Sequence, residues 1–207
     1  MIFANIIPDT TTVNLQINEE FTYKTKFKSF SIGTTKISIR YNDNNHVDNA
    51  IITIESTSNR LIDMIYKLRH FSTIIVDRLD YSLQAITQKL QQGDYIDSYS
   101  ATVDYYNNQI FYYNTKKNLV NKRQDSKIIN ISDKVYDPFG IVYHLRNIKL
   151  DVGSKYKFLY YSKKETREII LSSINQEYIE SPYYNGMCYL IVPHSENEKY
   201  LLKNQGE

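Results

Sequence analysis

The stretch Phe21-Thr22-Tyr23-Lys24-Thr25-Lys26-Phe27-Lys28 decides the fold class. Phe21, Tyr23, Thr25 and Phe27 fall on one side of an extended chain, and Lys24, Lys26 and Lys28 on the other. That period of two belongs to a strand, because a helix would scatter the rings around its circumference. After a turn around Ser31–Gly33 the pattern resumes. Ile37, Ile39 and Tyr41 face one way, and Lys36, Ser38 and Arg40 the other. Two neighbouring strands, each with a dry face and a basic face, form the opening hairpin of an antiparallel sheet.

Further strands follow from the same reasoning. Asn42-Asp43-Asn44-Asn45 is a turn cluster, and Ala50–Ser56 reads as a short strand. Ser58 or Asn59 can cap a brief helix whose Leu61, Ile62, Ile65 and Leu68 recur three and four apart. His70–Val76 returns to strand, and Asp77–Asp80 turns. Tyr81–Gln92 is rich in helix-favouring Leu, Gln, Ala and Lys, yet it sits between strands and closes on Gln92-Gly93-Asp94; it is read as a strand. Tyr99, Ala101, Val103 and Tyr105 share a face, and Asn107-Asn108 leads into Ile110-Phe111-Tyr112-Tyr113 as a hairpin. Asn114 to Asp125 is polar and lysine-rich, the composition of a long loop. Lys155–Ser162, Arg167–Ser173 and Met187–Val192 complete the run of strands. No repeat, Pro-rich linker or composition break divides the chain, so residues 1–207 are expected to form one domain.

The segment Asp137-Pro138-Phe139-Gly140-Ile141-Val142-Tyr143-His144-Leu145-Arg146 stands apart as a helix. Asp is a good N-cap, Pro is tolerated at the first helical position, and Arg near the far end complements the helix dipole. Phe139, Val142 and Tyr143 share a stripe with Arg146, which suits a helix packed against the sheet.

Composition narrows function by exclusion. Of the 207 residues, 42% are hydrophobic and 23% charged, which excludes wholesale disorder. Lys and Arg number 25 against 23 Asp and Glu, a net charge of +2 that gives no electrostatic case for nucleic acid. The single cysteine, Cys188, excludes an intrachain disulfide framework and a cysteine-rich zinc site. The longest apolar run, Met187 to Pro193, is too short to cross a bilayer as a helix, so no transmembrane segment is expected.

Chemical motifs are scarce. His46, His70, His144 and His194 have no partners at helical spacing, so neither a metal nor a cofactor is expected. Cys188 lies inside an apolar run and reads as a buried, inert thiol. Glu19-Glu20, Asp77/Asp80 and Glu177/Glu180 sit at turns or strand ends, where solvation explains them as well as acid–base work would. A hydrolase of envelope polymers would need two of these to converge in one cleft. No nucleophile elbow, zinc-protease, Walker or dinucleotide motif occurs, and no enzymatic activity is expected. Most glycines read as turn residues; Gly140, inside the helix, would let helix and sheet approach closely. Lys24, Lys26, Lys28, Lys36 and Arg40 make a basic face, either a solvated outer surface or a surface for anionic headgroups. The tyrosine pairs, among them Tyr105-Tyr106 and Tyr112-Tyr113, suit cross-strand packing or a ring-lined groove for a ligand.

Asp137-Pro138, Tyr143, Leu145-Arg146 and Val152-Gly153 together resemble the signature of a family of exported bacterial proteins, domain of unknown function 3108. Glu20-Phe21-Thr22-Tyr23 with Ile32-Gly33-Thr34 resembles the family's opening hairpin, and Glu177 through Gly186 a later strand and turn. The resemblance spans residues 17–206, leaving 1–16 as a flexible lead-in or signal remnant in which Ile2-Phe3-Ala4 looks like the tail of a signal peptide. It implies a periplasmic or exported protein, truncated at one or both ends. Alternation and turn count give about eight to ten antiparallel strands with two short helices packed on the sheet near Arg60–Leu68 and Pro138–Asn147, and the resemblance implies that this sheet is strongly curved and half-barrel-like. The leading expectation is non-enzymatic binding of a lipid, another apolar or amphipathic ligand, or a partner segment on the concave face. Tyr143, Arg146, Tyr105 and Tyr112 are the candidate ligand contacts, and Asp137, Pro138, Gly140 and Gly153 the structural motif. The competing expectation is an envelope assembly factor with a filled core, whose exposed strands or basic face engage another protein.

Overall fold

The computed structural model describes residues 2–5, 18–28, 30–41, 48–117, 121–162, 164–181 and 184–194. In chain order these form β1 (Ile2–Asn5), β2 (Glu19–Phe27), β3 (Phe30–Tyr41), β4 (Asn49–Ser58), α1 (Arg60–Asp63), β5 (Leu68–Asp77), β6 (Leu83–Gln92) and β7 (Tyr95–Asp104). They continue with β8 (Gln109–Lys117), β9 (Lys122–Asn130), β10 (Val135–Tyr136), α2 (Pro138–Asn147), β11 (Lys155–Ser162), β12 (Glu165–Ser181) and β13 (Tyr184–His194). The fold is mainly antiparallel β with two short helices. The larger sheet has eight strands, within the eight to ten expected, and the other five described strands form a second sheet that the sequence reading does not separate. The chain forms two compact units, one built on each sheet.

The larger unit is an eight-stranded meander, β2-β3-β4-β5-β6-β7-β8-β9, in which every strand pairs antiparallel with the next. Register carries the hydrophobic alternation across the sheet. Ile39, Ile52, Ile74, Ile86, Ala101 and Tyr112 stand opposite one another in a single row, and all are buried. A second row, Ala50, Val76 and Leu83, continues the same dry face. Burying one such isoleucine contributes roughly 1.5–3 kcal/mol, so these rows hold the register against a one-residue slip.

The smaller unit is a five-stranded sheet, β1-β13-β12-β11-β10, with β10 parallel to β11. Its core joins Tyr136, Ile141, Leu145, Leu150, Phe158, Leu171 and Ile191. Residues 2–5, within the stretch read as a signal remnant or flexible lead-in, form β1 and pair with β13 from Ile2↔Ile191 to Asn5↔Cys188. The remainder of that lead-in lies outside the described residues.

Three local expectations are corrected. The segment Asn114–Asp125 is not a loop throughout: β8 runs to Lys117 and β9 begins at Lys122. Its charges are those of an edge strand with both faces wet, which discourages pairing with other chains. The helix over Leu61–Leu68 shrinks to the four residues of α1, leaving Leu61 and Ile65 exposed. Asn59 caps it through the Ile62 amide at 3.0 Å, but Ser58 then accepts from the Leu68 amide at 2.8 Å and returns the chain to strand. The dry face predicted for β2 is also open: Phe21 is 42%, Tyr23 54% and Phe27 65% exposed.

Candidate functional site

β2 is an edge of the larger sheet, so one side of its backbone has no strand partner among the described residues. Its aromatic row follows from register. Phe21 lies opposite Ile37 and Tyr23 opposite Thr35, on the face whose isoleucines are buried further into the sheet. Phe27 pairs with Phe30, also exposed, at the hairpin end. The apolar face thus emerges from the core and reaches solvent at this edge.

Lys24, Lys26, Lys36 and Arg40 occupy the opposite face, Lys28 lies in the turn after β2, and all five are exposed. Lys36 pairs with Glu20 at 2.9 Å, and the Lys28 ammonium lies 6.0 Å from the centre of the Phe27 ring. The edge is locally well anchored. The Asn59 amide donates to the Ile32 carbonyl at 3.0 Å, and a bulge between Thr25 and Lys26 accommodates one extra residue of β3.

The signature segment lies in the smaller unit. Asp137 is the N-cap of α2, accepting from the Phe139 amide at 2.8 Å, with Pro138 in the first turn. Burial pushes the Asp137 carboxyl up to about 6, against amide hydrogen bonds from Phe139 and Gly140 that favour its charged form. Tyr143 is buried, and the Arg146 guanidinium sits 5.3 Å from the centre of its ring. His144 makes edge contacts with Tyr136 at 5.5 Å and Phe158 at 5.6 Å, an aromatic packing role. Gly140 is buried in α2, and Gly153 adopts φ 87° in the turn before β11.

Tyr105 and Tyr112 belong to the larger unit, so the four candidate ligand contacts do not converge within one unit. The Tyr105 hydroxyl donates to the Leu83 carbonyl at 2.8 Å. Tyr112 is buried, tilted against Tyr99 at 5.9 Å, and burial pushes its phenol up to about 12, so it stays protonated at neutral pH. Cys188 is buried, and His46 lies outside the described residues. Sequence reasoning missed the ion cluster of Ser58, Asp63 and Arg69. There Arg69 and the Ser58 hydroxyl donate to Asp63 and hold its carboxyl at about 2. The only signal available was the i, i+6 spacing of Asp63, at the end of α1, and Arg69, at the start of β5.

These features define a mainly antiparallel β protein with an exposed aromatic row along one sheet edge. The chain belongs to the family described as Protein of unknown function (DUF3108), which matches residues 22–207. No curated protein and no solved structure matches the chain. No helix among the described residues is long and apolar enough to cross a membrane.

Proposed function

We propose that the protein is a non-enzymatic, exported cell-envelope factor that receives an extended segment of another protein along β2. The observation that carries this reading is the exposed row Phe21, Tyr23 and Phe27 of β2, with Phe30 of β3 beside it, on a sheet edge without a strand partner among the described residues. An incoming strand would satisfy the edge amides and carbonyls and bury alternate side chains against these rings. Lys24 and Lys26 on the other face select the intervening residues as acidic, so the partner segment alternates apolar residues with Asp or Glu. An apolar small-molecule ligand has less support, because the interior rows through Ile39, Ile52 and Ile74 are already packed to about zero exposure. Export is inferred from the family resemblance.

Fluorescence anisotropy with labelled nine-residue peptides tests the edge. A Val-Glu alternating peptide is expected to bind, and a Val-Lys peptide to be rejected. Tyr23→Ser with Phe27→Ser should weaken the first at least tenfold, and Lys24→Glu with Lys26→Glu should invert the preference. Equal affinity for the two peptides, or wild-type affinity in the serine variant, would refute the reading.

A further inference from the structure

The opposite edge of the larger sheet carries a second feature. At the end of the β8–β9 pair, Lys116 stands directly across from Arg123 and Lys117 directly across from Lys122. Like charges in directly opposed positions repel, so the arrangement costs stability until a counter-charge enters. All four side chains are exposed. On the Lys116–Arg123 face lies a cavity of about 330 Å³, lined by Asn114, Lys116, Arg123, Gln124, Asp125 and Lys164.

The electrostatics of this cavity are uneven. Three cations face it against one lining carboxylate, Asp125, and that carboxylate is already held by the Lys164 ammonium. The Lys164 bond keeps the Asp125 carboxyl below its usual range, with Lys116 adding to the effect. A further acid, Asp97, stands across from Lys116 but is buried and accepts from the Asn114 amide, which also donates to the Ser98 carbonyl at 3.1 Å. The Lys164 ammonium also lies 5.7 Å from the centre of the Tyr112 ring.

We propose that this cavity binds a phosphate-type oxyanion, as the free ion or as the headgroup of an anionic lipid. Arg123 offers a planar fork that takes two oxygens of a tetrahedral anion, and Lys116 contributes a point charge from the adjoining strand. The anion relieves the Lys116–Arg123 repulsion, which supplies part of the driving force. Gln124 and Lys164 add donors at the rim.

The test uses the full chain at low ionic strength. Equilibrium dialysis measures labelled inorganic phosphate, and flotation measures phosphatidylcholine vesicles with and without phosphatidylglycerol. Binding to at least one probe is expected, with Lys116→Gln/Arg123→Gln lowering affinity about tenfold or more. Phosphate binding without vesicle binding assigns the free ion; phosphatidylglycerol-dependent flotation without phosphate binding assigns the headgroup; both together assign the shared chemistry. Asp125→Asn is expected to tighten binding about threefold by releasing Lys164, a gain that a loss of folding cannot mimic. The proposal is overturned if wild type binds neither probe, if the double glutamine variant binds as wild type does, or if Asp125→Asn weakens binding.

Discussion

Asp137 is where two demands on one side chain conflict. As N-cap it must present an oxygen to the first-turn amides, and as a residue only 7% exposed it must leave water. Burial wins, and the carboxyl rises from 3.8 to about 6. The folded chain therefore holds this proton more tightly than the unfolded chain. The associated stability is complete below the unfolded value and is lost as pH rises through about 6, a change on the order of 2–3 kcal/mol. Asp137→Asn keeps the capping oxygen without the charge, so it should abolish this pH dependence and exceed wild-type stability at pH 7. Asp137→Ala should fall about 1 kcal/mol below the Asn variant, the scale of a lost cap. Urea titrations at about pH 4 and 7 check both; an Asn variant that still loses stability across that range would show that Asp137 is not the titrating group. The cap itself was legible in Asp137-Pro138 because capping chemistry is local. The buried carboxylate was not, since its surroundings come from residues distant in sequence.

At the scale of elements, Gly33 shows how a correct hairpin can hide a misread residue. It reads as a turn glycine, yet it lies within β3, paired with Thr25 on one side and Ser58 on the other. A Cβ there would lie 2.5 Å from the Thr57 carbonyl oxygen, closer than non-bonded atoms come. Gly33→Ala must push β3 and β4 apart, and a loss of about 1–3 kcal/mol is expected in chemical denaturation, the usual cost of overpacking. A change below about 0.5 kcal/mol would mean that the strands adjust freely. The same difficulty explains β9. Its lysines, arginine and aspartate alternate with nothing buried until Ile129, so its strand character rests on backbone pairing with β8 and leaves no side-chain period to read. In β12 a register shift between Ser173 and Asn175 breaks the alternation, and periodicity reveals only the first half of its 17 residues.

For the whole molecule, what was legible is what a single buried face imposes. From β3 to β8 one side of the sheet must be apolar, so the class and most strands could be read from alternation. The division into two sheets could not, because it depends on pairings such as Ile2↔Ile191 that join opposite ends of the chain. The larger sheet also has two edges that must avoid each other's copies. β9 manages this with charge on both faces, whereas β2 has rings on one face and Glu20, Thr22, Lys24 and Lys26 on the other, with Lys28 just past its end. If two β2 edges paired antiparallel about Lys26, their aromatic rows would bury each other, Lys26 would face its own copy and Lys24 would face Lys28. Each directly opposed like-charge pair then costs roughly 0.2–1 kcal/mol, enough in combination to offset much of the ring burial. Replacing Lys24, Lys26 and Lys28 with Thr keeps strand propensity and removes the repulsion. Sedimentation velocity should then show self-association that grows with concentration, while Lys122→Thr with Lys127→Thr on β9, where Arg123 and Asp125 remain, should sediment as wild type. A triple Thr variant indistinguishable from wild type would mean that the lysines do not guard this edge, and that pairing is blocked by the twist and bulge of β2 and β3 instead.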